Sequence, residues 1–344
     1  MSDNSVSKES PLKKGGFPIN FIAVILFSVI GFVIAILANI LIPQISSGVK
    51  LDDHAVGPVI LNMNGAYRIV LALIALFYLG IGVYSAFDAD KRKKYKSRAK
   101  FRFAVGIALG LWDLLGTKLQ ALPQPFFPGP AGIIEAFLIE SDYILENTLY
   151  SLRLFAFGFV FGVIVGVGTG ILIGWFPKVY YWVSPVLNVT GVIPAVAWMP
   201  FALTLFPTPF AAAVFLIVIC VWFPVASLTA SGVQSTPKAQ FEAARTLGGN
   251  TAFLVFHVAV PHAMPQIFTG INTASAFAFT TLVMAEMMGQ PGGLGYYINA
   301  SKVWSAYYKV FAAIIVMAVL FSLISKLVSL IESRVLRWQR GLLK

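Results

Sequence analysis

A run of roughly 25 positions with almost no polar side chain, Phe17 to Ile42, constrains this chain more than any other stretch, because a helix of that length matches a hydrocarbon core about 30 Å thick. It exceeds the apolar core of a signal peptide, and no small-residue cleavage site follows it, so it reads as a retained span. Comparable runs recur along the chain. Span 2 is expected at about Ala66–Phe87, span 3 at Phe103–Leu119 (short, with Asp113), and span 4 at Leu149–Trp175. Span 5 follows at Trp182–Phe206, span 6 at Phe210–Thr229, span 7 at Pro265–Met288 and span 8 at Tyr307–Ile331. With 58% apolar residues, 11% charged and a mean hydropathy of +0.83, the 344 residues are too apolar for a soluble fold. The expected fold is an all-α polytopic membrane protein with about eight transmembrane helices.

Charge sets the orientation. The formal charge of +11 is concentrated beside apolar runs, which suits membrane topology and excludes a nucleic-acid-reading surface. The densest cluster, DADKRKKYKSRAKFR at 88–102, reads as a solvated positive-inside loop in preference to a lipid-specific or partner-specific site. It places residues 88–102 and the N-terminus in the cytoplasm. Eight crossings return the basic tail, Arg334, Arg337, Arg340 and Lys344, to the same side. The Pro-rich stretch Leu122–Pro130 cannot be helix interior and is expected as a loop on the far side, followed by a surface helix over Ala131–Glu140. The single cysteine, Cys220, permits no intrachain disulfide.

One polar island interrupts the apolar sequence: PKAQFEAARTLGGN, Pro237 to Asn250. Thr236 as N-cap, Pro237 at the first helical position and Gly248-Gly249 as the stop predict a helix of roughly ten residues, about 15 Å long and too short to cross. Phe241, Ala244 and Leu247 or Gly248 share one face, with Gln240, Glu242 and Arg245 mostly elsewhere. After six crossings the island lies in the cytoplasm, where a soluble partner can grip it.

The island resembles the EAA loop of ABC importer permeases, the inner-membrane components of binding-protein-dependent transport systems. Glu242, Ala243 and Ala244, then Gly248, Val258 and Val260-Pro261 follow that spacing, with Val at two positions where the pattern has Ile and Leu. The resemblance covers about Phe101 to Trp338. It is strongest for the nitrate/sulfonate/taurine branch, through LPQPFFPGPAGII, VIPAVAWMPFAL, AEMMGQPGGLGYYI and ESRVLRW. It implies a permease domain over 101–344 with its core at about 145–333. Residues 1–100 are then an N-terminal extension with two spans and a basic cytoplasmic loop. It further implies coupling to an ATPase through Phe241, Glu242, Ala243, Ala244, Arg245, Gly248 and Pro261. The implied partners are ABC ATPase subunits, a periplasmic or lipid-anchored substrate-binding protein, a second copy of the permease and membrane lipid, in a bacterial cytoplasmic membrane.

Within the spans, Gly158, Gly162, Gly166, Gly170 and Gly174 recur every four residues, a stripe that lets a neighbouring backbone approach closely. Packing within one subunit is favoured over a dimer seam. Pro185, Pro194 and Pro200 break span 5; the freed carbonyls are tolerated only beside protein or a water-filled cavity. Pro194, Trp198 and Pro200 are therefore pathway or gate candidates, against a merely kinked packing helix. Glu286, an ionisable group inside span 7, joins them. It is open to pairing with Lys302, to hydrogen-bonding the Gly-rich turn that follows, or to touching substrate, and a structural role is favoured because a bare carboxylate repels anions. Arg153 is read either as attracting an anion or as snorkelling at a span end.

No catalytic or metal-ligating constellation is evident. His257 and His262 flank Pro261 without a carboxylate cluster or cysteine to complete a site. No G-x-x-x-x-G-K-[ST] phosphate loop is present, so ATP and Mg²⁺ belong to a partner subunit, with no cofactor on this chain. The competing reading is a secondary transporter or channel without an ATPase, for which Asp113 and Glu286 are the main relay candidates.

Overall fold

The computed structural model describes residues 19–45, 53–56 and 59–341. The first 18 residues, and Lys344 of the expected basic tail, lie outside them. The chain divides into two compact units, Met1–Ile139 and Glu140–Lys344.

The first unit begins with α1 (Ile19–Leu41), continues through the antiparallel hairpin β1 (Asp53–Val56) and β2 (Val59–Asn62), registered Asp53 to Asn62, and returns along α2 (Met63–Ser85). The expected basic loop is instead a helix, α3 (Ala89–Ser97). Asp88 caps it, accepting from the backbone N–H groups of Asp90 and Lys91 at 2.9 and 3.3 Å. Those bonds, Lys91's first, hold the Asp88 carboxyl below its usual range. The helix α4 (Ala99–Asp113) ends in a π-helical turn at Leu114–Lys118, and α5 (Pro130–Ile139) closes the unit.

In this unit α1 and α4 run parallel at close range. A Cβ on Gly106 would lie 2.6 Å from the carbonyl carbon of Gly31, and one on Gly110 would lie 2.9 Å from the Cβ of Ala35. Further along, Asn39 donates to Asp113 Oδ2 at 2.7 Å. The helix expected at the surface after the Pro-rich stretch buries Ala131, Ile133 and Ala136, because its small-residue face packs against α2 and α4.

The second unit comprises α6 (Ser141–Trp175), α7 (Pro177–Val192), a 3₁₀ turn (Ala195–Trp198), α8 (Met199–Leu205), α9 (Pro209–Gln234), α10 (Lys238–Thr246) and α11 (Thr251–Phe253). A π-helical turn (Leu254–Ala259) leads into α12 (Val260–Met287), then α13 (Leu294–Val303) and α14 (Tyr307–Val335). At the centre the glycine stripe of α6 meets β-branched side chains of α9 that share its four-residue interval. Ile217, Val221, Val225, Thr229 and Val233 stand opposite Gly158, Gly162, Gly166, Gly170 and Gly174 in turn. Any added Cβ would come within 2.5 to 2.8 Å of its opposite number's Cβ. Lipid tails give no hydrophobic drive for two apolar helices to associate, so this contact rests on van der Waals packing that only glycine permits.

The pairing order shows that α6 and α9 run parallel, so residues 176–208 must carry the chain back between them. They do so as a broken helix, α7 and the Ala195–Leu205 segment bent by 102°. The helix α12 runs antiparallel to α9, with Ala263 against Gly232 and Thr281 donating to the Cys220 sulfur at 3.2 Å. In turn α14 is antiparallel to α12, fastened by Asn272 to Glu332 Oε2 at 2.9 Å and by Phe279 on Phe321.

Among the described residues, six helices are long and apolar enough to cross a bilayer, or seven if the bent pair counts as one span. The expected eight is not met because α4 carries Lys100, Arg102, Asp113 and, in its π-turn, Lys118. Span 7 begins earlier than expected. The helical path is continuous from Thr251, and Pro261 falls in the first turn of α12, where its missing N–H costs least.

The glycine contact makes a prediction. Gly162→Ala should lower the thermal unfolding temperature in detergent, with a cost of about 1–3 kcal/mol from overpacking against Val221. Gly168→Ala, on the same helix with nothing within 4 Å of the added Cβ, should be neutral or slightly stabilising.

Candidate functional site

The polar island forms α10, but one residue later than its sequence suggests. Pro237 occupies the N-cap (φ −60°, ψ 133°), and Thr236, expected there, is buried with its hydroxyl unpartnered. The C-terminus closes as a Schellman motif. Gly249 N–H donates to Ala244 O and Gly248 N–H to Arg245 O, both at 2.9 Å, with Gly248 at φ +84°. Asn250 then caps α11, its side chain accepting from Phe253 N–H at 2.9 Å.

This geometry fixes what α10 shows. Phe241 turns inward, edge-on to Trp175 at 5.4 Å, beside a buried cluster of Val233, Ala259, Ala263 and Ile267. Ala244 is buried on the same side. Glu242, Ala243 and Arg245 face outward. Leu247, with Gly248 a candidate for the face of Phe241 and Ala244, is 89% exposed, because it is the C-cap residue and its backbone (φ −85°, ψ 8°) leaves the helical path. With Ala243, Gly248, Phe253, Phe256 and His257 it lines a groove of about 650 Å³. Phe253 and His257 stack there at 4.7 Å, and Phe256 is exposed. Pro261 lies half-buried just beyond the π-turn that packs on α10.

Pro194, Trp198 and Pro200 sit at the bend of the broken helix, away from α10. Pro194 caps the 3₁₀ turn, Pro200 is the second residue of α8, and both are exposed. Trp198 is half-buried, edge-on to Phe201, with its indole N–H unpartnered.

Glu286 occupies a third place. It is 1% exposed, and its Oε2 accepts from Gly295 N–H at 2.8 Å. Lys302 is exposed and does not pair with it. Two α6 side chains complete the capping of α13: Gly293 N–H donates to Asn147 Oδ1 at 2.9 Å and Leu294 N–H to Ser151 Oγ at 2.8 Å. Gln290 clamps the preceding turn, accepting from the Tyr150 hydroxyl at 2.9 Å and donating to Pro209 O at 2.6 Å. Glu140 accepts from the Tyr297 hydroxyl at 2.6 Å and pairs with Lys309. Sequence reasoning missed Asn147, Ser151 and Gln290. The available signal was the four-residue spacing of Asn147 and Ser151, which puts both on one helix face. Arg153 lies over the Phe210 ring at 5.4 Å.

Residues 158–337 match the family described as binding-protein-dependent transport system inner membrane component. The chain belongs to that family. It is the membrane-spanning, non-catalytic permease subunit of an ABC importer. The putative aliphatic sulfonates transport permease protein SsuC of Bacillus subtilis (strain 168) is 29% identical over 74% of this chain and 94% of its own length. The nitrate import permease protein NrtB of Leptolyngbya laminosa is 31% identical over 67% of this chain and 84% of that one. A solved structure of the MetNI methionine ABC transporter, titled as inward facing, shares the fold, with 20% identity and a TM-score of 0.50 over 57% of this permease and 97% of that chain.

Removing the carboxylate that caps α13 tests the third site. Glu286→Ala should cost about 1–3 kcal/mol through an unsatisfied buried N–H, read as a lower unfolding temperature and faster proteolysis between residues 288 and 306. Glu286→Gln, which keeps an acceptor oxygen, should lose less than half of that.

Proposed function

We propose that this permease imports a small sulfonate- or nitrate-like anion by alternating access, and that α10 is the element through which a separate ATPase drives it. The carrying observation is the division of α10 into an inner face anchored by Phe241 and Ala244 and an outer face presenting Glu242, Ala243, Arg245 and Leu247 beside an apolar groove. An 89% exposed leucine contributes little to this subunit's own core, whereas a partner's groove would cover it. The exposed carboxylate and guanidinium on either side favour a partner surface with both donors and acceptors.

Orientation follows from charge. The α10 end of the second unit carries Lys178, Lys238, Arg245, Arg334 and Arg337 against Glu242 and Glu332, and its opposite end carries Glu140, Asp142 and Glu146 against Lys302 and Lys309. The positive-inside rule then puts α10 and the C-terminus in the cytoplasm, and the basic α3 end of the first unit, with the N-terminus, is assigned there on the same ground. ATP and Mg²⁺ are handled by the ATPase, in an assembly of two copies of this permease, two ATPase subunits and an external substrate-binding protein. The substrate class rests on the sulfonate and nitrate relatives.

Coupling requires that the docked interface differ between the two states of the transporter. Leu247→Glu and Glu242→Lys should therefore abolish substrate-stimulated ATP hydrolysis in the reconstituted complex, by tenfold or more, while the isolated permease keeps its unfolding temperature. Gly248→Trp should do the same at some cost in stability, since its φ of +84° disfavours any side chain. Wild-type stimulation in the first two variants would remove α10 from the coupling path. Uptake that persists with no ATPase bound would favour a secondary transporter.

A further inference from the structure

The first unit holds a cavity of about 540 Å³ where α2 ends, α3 lies and α4 begins. Tyr78, Ile81, Tyr84 and Phe101 form its apolar wall, and Lys94, Arg98 and Arg102 bring cationic groups to it. Arg102 is the anomaly. Its side chain is 9% exposed, donates to Tyr95 O at 2.9 Å and lies over the Tyr95 ring at 3.8 Å, yet no carboxylate pairs with it among the described residues. One carbonyl and the faces of Tyr95 and Tyr78, the latter at 5.4 Å, are its partners, so most of its five N–H donors lack an acceptor and no anion balances its charge. Lys94 and Arg98 are exposed and also have no acidic partner. Lys91, by contrast, is already engaged, pairing with Asp88 at 3.7 Å and donating to the Tyr84 hydroxyl at 3.0 Å.

We infer that this cavity is a binding site for an anionic phospholipid, with the headgroup phosphate at Lys94, Arg98 and Arg102 and an acyl chain along Phe101 and Ile81. Two observations select lipid over a soluble anion. The cavity opens at the end of an apolar helix, the level at which headgroups lie, and Phe101 on its rim is 71% exposed. The wall is mostly apolar, which a free oxoanion does not need and an acyl chain does. The basic cluster thus gains a specific role in addition to setting topology: some of its cations are placed on a cavity, while Lys93 and Lys96 on the same helix are not.

The test is native mass spectrometry of the purified full-length permease, titrated with phosphatidylglycerol and, separately, phosphatidylcholine. The wild type should bind phosphatidylglycerol preferentially. Lys94→Gln/Arg98→Gln, which leaves Arg102 and its packing intact, should weaken phosphatidylglycerol about tenfold or more and leave phosphatidylcholine unchanged. Lys93→Gln/Lys96→Gln, with the same loss of charge off the cavity, should change neither by more than about twofold. Equal loss in the two double variants would mean diffuse surface charge and overturn the site. Displacement of phosphatidylglycerol by millimolar inorganic phosphate would reassign the site to a soluble anion and overturn the lipid reading.

Discussion

The second unit depends on one contact, the approach of two backbones that five glycines allow. Side chains on α6 at those positions would hold α9 away by the width of a methyl group or more. Instead Val221 and its counterparts descend onto bare backbone, and dispersion is gained along the whole length of the pair. That register makes α6 and α9 parallel. Parallel neighbours joined by some thirty residues require a return path, which explains why the proline-broken segment exists and why it bends. It also delivers the end of α9, and α10 after it, to the same end of the bundle as the C-terminus of α6, where Trp175 receives Phe241.

At the other end, polarity replaces packing. The N-terminus of α13 would leave its first N–H groups unsatisfied in an apolar setting. Three side chains from two helices, Asn147, Ser151 and Glu286, take them up. An ionisable residue inside a span usually marks a pathway. Here the carboxylate is 1% exposed and already bonded to backbone, so its visible work is to hold a re-entering short helix against the bundle.

Much of this was legible in the sequence, and what was not has physical causes. The spacing of the island, the glycine interval and the apolar runs are local patterns, and local patterns survive in a string of letters. The partner of the glycine stripe was hidden because Ile217 to Val233 look like any apolar helix until the register is known. Leu247 does not share the face of Phe241 and Ala244, because helical periodicity stops one residue before it, where the backbone turns away. Thr236 is a good capping residue by type, but its burial took it out of that role. Pro261 and Pro265 suggested a late start for span 7, whereas a π-turn lets the helical path run on ahead of them. In the first unit, α4 was expected as a short span carrying Asp113, and only its partner on α1, where Asn39 serves that aspartate, was out of reach of the sequence.

The turn between α10 and α11 contains no slack. Gly248 and Gly249 close one helix with two backbone hydrogen bonds, and Asn250 opens the next with a third from its side chain. A displacement of the short rod therefore cannot be absorbed by uncoiling the connection. It would be handed as torque to the foot of α12, where Ala263 in the first turn is wedged against Gly232 and would take α9 with it. On the proposed coupling path the pair would act as a stiff crank whose throw is set by where those two helices cross.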